Sequence, residues 1–411
     1  MSQSHLSSPH PSSANDLVAG PYPSGAVRLD DVPFPKFTLF RRELVELGFR
    51  IPCGPGAGMY NLGNTCYMNS TLQALFHTPP FVNYLRYGGH VTEGKCPLQA
   101  GFSCTICILA ATLRSTTEQD VIKPEKIYAE LKIICKHLVH GRQEDAHEFL
   151  RFLLDSLENC YLLSCKIKHS SIDSYSKETT PFNQVFGGYM RQEVICLKCG
   201  HVSTTLQHFM DLQLDISQAD HIDTALQEYF RRERIGQEEN VYKCSLCKQK
   251  VPAIKQFKIE RPPLVLCLQL KRFNSLGVKD DRPVTLSKNL SISKYVRFAA
   301  AKGIAVEYRI VSVINHVGSS PNRGHYTTMG EAGDKKFYVF DDSTVHQTSL
   351  LNVLNSSAYV IFYEILPKTK AAILPSVDCE ATSSNPFVLA PGCAADLPTP
   401  PKVKCSHKFQ I

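Results

Sequence analysis

Tryptophan is missing from this chain altogether, and methionine occurs only 6 times in 411 residues. Phenylalanine, tyrosine and aliphatic side chains must therefore build the core. No run of about 18 apolar residues occurs, so a membrane-spanning helix is not expected. The first residues, MSQSHLSSPHPSSAND, lack a basic segment followed by an apolar one, and a secretory signal is not expected either. Internal repeats are absent, which removes solenoids and propellers from consideration. Charge of one sign is not in large excess: the net +7 says only that acidic partners are not repelled. A hydrophobic share of 43% suffices for one large core or two moderate ones.

Cysteine, in contrast, is plentiful, with 16 residues. Without a secretory signal, that number points to a reducing compartment, cytoplasm or nucleus, where thiols bind metal or carry out chemistry. Residues 1–55, rich in Ser, Pro and Gly, read as a mostly flexible leader with one helix expected over 39–47. A folded region is expected over 56–366, and a disordered tail over 367–411. Within the folded region the first half has helical spacing at 66–76, 102–113, 126–138 and 149–157. The second half has strand patterns at 264–270, 308–315, 337–340 and 358–365. The expected fold class is α+β, a helical half followed by an antiparallel-looking half.

The stretch 58–76, GMYNLGNTCYMNSTLQALF, carries the clearest chemical signal. Its turn-prone residues Gly58, Asn61, Gly63 and Asn64 end at Cys66, after which Met68, Leu72, Leu75 and Phe76 share one helical face. Cys66 is thus expected at a helix N-terminus, where unpaired N–H groups and the helix dipole favour a thiolate. Asn61 is positioned to offer an amide to an oxyanion. A nucleophilic cysteine needs a base and a group to orient that base. Of 15 histidines, His325 has the most suggestive setting, directly after the loop GSSPNRG and at the start of a strand. A return strand ending at Asp341 would place that carboxylate beside His325, with the adjacent Asp342 as the alternative third member.

Two C-x-x-C pairs, Cys196/Cys199 and Cys244/Cys247, fit a tetrahedral four-cysteine zinc site. Four thiolates leave no open position for water, which makes the site structural. The segment between the pairs shows no aromatic and basic interleaving, so nucleic acid is not an expected partner. A third pair, Cys104/Cys107, with Cys96 upstream, lacks a partner pair. Buried helical thiols are the simpler reading there, and a second metal site is the alternative.

Together these stretches resemble the ubiquitin-specific protease family of cysteine-type deubiquitinases. Residues 58–76 are similar to that family's cysteine box. YRIVSVINHVG at 308–318, GHY at 324–326 and FYVFDDS at 337–343 are similar to its histidine box. The resemblance implies a papain-like α+β fold with a helical thumb, an antiparallel β palm and zinc-tied β fingers, a cleft between the halves bringing the nucleophile to its base and the fingers insertion lying at about 185–260. It implies Cys66 as nucleophile, His325 as general base, Asp341 as orienting acid and Asn61 as oxyanion donor. Asp145 and Glu148, in the segment HGRQEDAHEFL, would hold basic residues of ubiquitin's C-terminal tail, and loops near 277–281 and 317–323 would fold over it. His316 would be a decoy for the base. Implied partners are ubiquitin and ubiquitinated proteins, met by a monomer without nucleic acid or membrane, and implied cofactors are one structural zinc and none in catalysis. An inactive ubiquitin-binding relative and a general papain-type endoprotease are the rival readings. One departure is that Lys336-Phe337 stands where the family carries a tryptophan before the aromatic residue.

Overall fold

The computed structural model describes residues 29–90, 96–98, 103–236, 242–273, 278–320 and 323–374. Its centre is helix α1 (Cys66–Phe76), every residue of which is buried. The apolar spacing predicts only one buried face, yet Asn69, Thr71 and Gln73 are enclosed as well. Each is buried because it has a partner. Gln73 Nε2 donates to Ala57 O at 2.8 Å, Thr71 Oγ1 to Tyr67 O at 2.8 Å, and Asn69 Nδ2 to Asp342 Oδ1 at 2.8 Å. The prolines that end α1 also begin α2 (Pro79–Tyr87), since a first helical turn needs no N–H from them. Helix α3 (Thr105–Glu118) and the long α4 (Ala146–Ser164) complete the helical half. The helix predicted over 126–138 is broken at Glu130 into two short ones, Glu125–Ala129 and Leu131–Ile134, and both turn an aliphatic side chain inward.

Two sheets follow. The smaller contains β1 (Gly188–Cys196), β2 (Val202–Phe209), β4 (Glu233–Ile235) and β5 (Ala253–Arg261), in the order β2-β1-β5-β4. The larger contains β3 (Leu212–Leu214), β6 (Val265–Leu270), β8 (Glu307–Ser320), β9 (Arg323–Glu331), β10 (Phe337–Asp341), β11 (Thr344–Thr348) and β12 (Ala358–Ile365). Its order is β11-β10-β9-β8-β12-β6-β3, and β7 (Asn289–Ser291) pairs with β8. Every pairing in it is antiparallel except that of β3 with β6. α1 lies against this sheet through hydrogen bonds to the helix backbone. Ser312 Oγ donates to Ala74 O at 3.0 Å and Thr328 Oγ1 to Ser70 O at 2.7 Å. These bonds fix the distance between the helix that starts with Cys66 and the strands that carry His325 and Asp341.

Described residues on both sides of 56–366 also pack on the folded region. Residues 29–55, expected within the flexible leader, pack on the body because they satisfy buried charges there. The carboxylate of the fully buried Glu260 accepts Asp31 N at 2.6 Å, and Gly48 N donates to the buried Glu364 at 2.7 Å. The helix expected over 39–47 is only a 3-10 turn, Arg42–Leu44. Beyond residue 366, Pro367–Ile373 is helical, and Lys370 Nζ donates to Glu43 O and Val45 O at 2.9 and 2.5 Å. The rest of the expected leader and tail lies outside the described residues.

Candidate active site

Cys66 opens α1 from a loop whose shape its own side chains impose. Gly63 and Asn64 take positive φ values of 100° and 59°, and Asn64 Nδ2 is anchored on Gly141 O at 2.8 Å. Asn61 Oδ1 accepts from Gly63 N and Thr65 N at 3.0 and 3.1 Å, closing an Asx-type turn. Thr65 spends its Oγ1 on Leu62 N at 2.9 Å, so the start of α1 has no side-chain cap. The first-turn N–H groups therefore stay uncapped at the end of the helix that Cys66 opens.

The loop is clamped to the β10–β11 turn. Met59 N donates to Asp342 O at 2.7 Å. A Cβ on Gly58 would lie 2.3 Å from Ser343 O, so only glycine permits this approach. A short parallel pair, Gly58–Met59 with Val121–Ile122, holds the other side of the loop. Asp342 itself is left-handed, with φ 46°.

That turn separates two adjacent carboxylates. Asp341 Oδ1 lies 2.6 Å from His325 Nε2. Both Asp342 oxygens are taken instead by amides, Oδ2 by Asn61 Nδ2 at 2.9 Å and Oδ1 by Asn69 Nδ2 at 2.8 Å. Asp341 is therefore the residue that meets the ring, and Asp342 orients the two asparagines. His325 is half-exposed, and its ring hydrogen-bonds Cys66 as well as Asp341. With Nε2 on Asp341, Nδ1 is the nitrogen left for the thiol. The sulfur first and the carboxylate second raise the imidazole to about 9, against the opposing effect of burial. Imidazolium is thus the resting form at neutral pH, opposite a thiol at a helix start.

Gln143 completes the setting. Its Nε2 donates to Gly324 O and its Oε1 accepts from Gly324 N, both at 3.1 Å, so one amide grips the peptide unit before His325. His316, on β8, is fully buried between Phe273 and Tyr326, and neither ring nitrogen has a hydrogen-bond partner among the described residues. Burial and the nearby Lys279 lower it to about 4, which leaves it neutral. Asp145 caps α4, with Oδ1 accepting His147 N and Glu148 N at 2.7 and 3.0 Å, while Oδ2 accepts Tyr359 Oη at 2.5 Å. Its carboxylate thus accepts three hydrogen bonds within the chain, and Glu148 is exposed in the first turn. Of the two loops expected near the site, Gly277, Pro321 and Asn322 lie outside the described residues. Lys279 fixes the first loop to β8 by donating to His316 O at 2.9 Å.

Away from this site, Cys196, Cys199, Cys244 and Cys247 bring their sulfur atoms within 4.8 Å of one another at the tip of the smaller sheet. Cys199 N donates to Cys196 Sγ at 3.4 Å, and Cys199 and Cys244 sulfurs are 3.7 Å apart. Zn–S bonds of about 2.3 Å in a tetrahedron require sulfurs ~3.8 Å apart. The four residues fit zinc.

A cysteine at a helix start, a histidine on a strand and a carboxylate on the next strand can support thiol-dependent acyl transfer, and the smaller sheet adds four thiols that could hold a metal. The family model described as ubiquitin carboxyl-terminal hydrolase matches residues 57–363. The chain belongs to that family. It is 44% identical over 369 residues to "Ubiquitin carboxyl-terminal hydrolase 36" of Drosophila simulans, covering 88% of this chain and 36% of the relative. The Drosophila melanogaster protein of that name is 45% identical over 342 residues, 82% of this chain and 33% of the relative. The chain spans about a third of the length of these relatives. Among solved structures, the SAGA Ubp8 module bound to ubiquitin aldehyde matches with a TM-score of 0.65 and 26% identity, over 77% of this chain and 71% of that one. The same module bound to monoubiquitin matches with a TM-score of 0.64 at 26% identity and the same coverage. The papain-like α+β class agrees with these neighbours.

Sequence reasoning passed over Asn69 and Gln143. Asn69 is spaced as an ordinary polar residue of a helix, and Gln143 precedes the acidic pair that attracts notice. Only the fold brings either one to the site.

Proposed function

We propose that the chain is a thiol-dependent deubiquitinase that cleaves the isopeptide or peptide bond after the C-terminal glycine of ubiquitin. One observation carries this reading. The Cys66–His325–Asp341 constellation sits in a family member whose solved neighbours were captured with monoubiquitin and ubiquitin aldehyde. In the reaction Cys66 thiolate attacks the glycine carbonyl carbon. Asn61 Nδ2 has two hydrogens, and Asp342 accepts one. The other, with the Cys66 N–H, holds the oxyanion. His325 imidazolium then protonates the leaving lysine or α-amine, and the carbonyl re-forms as a thioester. Water, deprotonated by the now neutral His325, attacks the thioester, and Cys66 leaves as thiolate. Asp341 holds the ring in its productive orientation throughout.

Ubiquitin and ubiquitinated proteins are the partners on this reading, met by a monomer without nucleic acid or membrane. Among the described residues no helix is long and apolar enough to cross a membrane. Asp145 and Glu148, at the start of α4, are the acidic groups that would hold a basic tail, and Glu148 is the more exposed of the two. Asp145 also holds that helix start in place. Zinc on Cys196, Cys199, Cys244 and Cys247 would tie the two hairpin ends of the fingers together. It takes no part in the chemistry on this reading. Cytoplasm or nucleus is the location that suits the free thiols.

A ubiquitin probe bearing a C-terminal electrophile tests the reading. The wild type should form a covalent adduct and Cys66→Ala should not. An adduct that persists in Cys66→Ala would overturn the nucleophile, and a wild type that binds ubiquitin without reacting would overturn the enzyme.

A further inference from the structure

The helical half contains a second cluster of metal-binding donors, built from residues far from the fingers. His90 follows α2, Cys96 lies in the connection, Cys104 is the N-cap residue of α3 and Cys107 lies in that helix's first turn. Their ligand atoms all lie within 4.8 Å of one another. His90 Nε2 is 3.1 Å from Cys104 Sγ and 3.6 Å from Cys96 Sγ. A tetrahedral zinc with Zn–S of about 2.3 Å and Zn–N of about 2.0–2.1 Å places its nitrogen ~3.6 Å from each sulfur. We propose that His90, Cys96, Cys104 and Cys107 form a second, structural zinc site in the thumb.

Two further observations favour a metal over a set of inert core thiols. Cys107 N–H bonds to Cys104 sulfur, as Cys199 N–H does to Cys196 in the fingers. Both C-x-x-C pairs therefore form the same knuckle. The Cys104 and Cys160 thiols share a hydrogen bond, so Cys160 on α4 stands as an outer partner to the set of four, the kind of neighbour that orients a metal ligand. Four donors of the Cys3His type leave no open position, so the site is closed to substrate. Sequence reading found the three cysteines but not His90, which precedes them with a spacing of no standard pattern.

The placement gives the site a task. It secures the N-terminal end of α3, which also meets α4 through Thr105 Oγ1 and Ser156 Oγ at 2.9 Å. The other end of α3 supports the nucleophile loop: Thr116 O accepts Ala57 N at 2.8 Å, and Val121–Ile122 pairs with Gly58–Met59. The thumb zinc therefore fixes the far end of the helix against which the approach to Cys66 is built.

Metal counting on the full chain, by plasma emission after exhaustive dialysis, tests this site separately from the fingers. Wild type should hold two zinc equivalents. His90→Ala and Cys104→Ser should each lose one, and Cys196→Ser should lose the other. His90→Cys should retain both, because it restores a fourth ligand. A wild type with a single equivalent that Cys196→Ser removes would overturn the proposal. So would two equivalents that survive in Cys104→Ser. If the thumb variants do not fold, the wild-type count still decides. Cobalt substitution then adds a readout, since a Cys3His site and a four-cysteine site give different visible bands. Failure of the thumb site leaves the ubiquitin-probe result untouched.

Discussion

His316 and His325 stand on neighbouring strands of one hairpin and have opposite properties. His325 is half-exposed, bonded to a sulfur and a carboxylate, and raised to about 9. His316 is sealed among Phe273, Tyr326 and Tyr359, without a hydrogen-bond partner among the described residues, and lowered to about 4. In the β8–β9 register Val317 faces His325 and His316 faces Tyr326. One residue of register thus separates a ring at the site from a ring in the core. The difference teaches that an imidazole acquires a role from what the fold places around it. Burial without a partner expels the proton, and a thiol with a carboxylate retains it.

Removing each ring in turn is the most direct way to break the contrast. His325→Ala is expected to lower kcat/KM by about 10³- to 10⁴-fold, the upper range for loss of acid–base catalysis. Ubiquitin–rhodamine turnover measures it, and retention of more than a tenth of the activity would refute the assignment. The next largest effect comes from the groups around the reactive ring. Asn61→Ala should cost about 10²- to 10³-fold in kcat, as loss of an oxyanion donor does, with ubiquitin affinity almost unchanged. A change confined to affinity would make Asn61 a binding residue only.

Asp341→Ala should cost about 10²-fold, the low end of an acid–base contribution, because His325 keeps its bond to Cys66. Its pH profile is more telling. The wild-type imidazolium persists up to about 9, so its acylation rate should decline only above that pH. Without the carboxylate the charged ring is less favoured, its pKa falls, and the alkaline limb must move to lower pH. A limb that stays in place would show that Asp341 does not hold the ring's charge. The same variant made at Asp342 should leave the limb unmoved and act through Asn61, since Asp342 bonds only amides.

The site's parts were legible in proportion to how local they are. The turn, the cysteine and the helix in 58–76 are contiguous, and the structure starts α1 at Cys66. His325 and Asp341 were readable because a hairpin is a short-range object. The choice between Asp341 and Asp342 was not, because it depends on a left-handed residue at Asp342 and on two asparagines from the helical half. The packing of 29–55 on the domain was hidden for a similar reason. Residues 29–55 look loose in composition, yet they satisfy Glu260 and Glu364, whose need for partners appears only once both are buried. His90 could be joined to its three cysteines only after the fold had brought them together.

Gln143 offers a smaller test that links the two rings. Its amide holds Gly324, and a Cβ on Gly324 would lie 2.5 Å from His316 Nε2. Gln143→Ala should release the strand start and lower kcat about tenfold through misplacement of His325, with KM nearly constant. Rescue by Gln143→Asn, even partial, would support positioning, whereas an equal loss in KM would point to a direct substrate contact.

The smallest effect is expected at His316, and its sign separates packing from chemistry. The ring lies in an apolar, aromatic setting with two unpartnered nitrogens, so an apolar replacement forfeits no hydrogen bond. His316→Leu should therefore keep kcat/KM within about threefold and stability at pH 7 within about 1 kcal/mol. Acid conditions should reveal the difference. The unfolded ring takes up a proton near its ordinary value of about 6.5 and the folded ring only near about 4, so wild-type stability falls as pH drops through that window. His316→Leu lacks this term and should lose less stability between pH 6.5 and 4 in urea unfolding. An equal loss in both proteins would mean that the folded ring gains its proton as easily as the unfolded one, which would contradict the sealed pocket around His316.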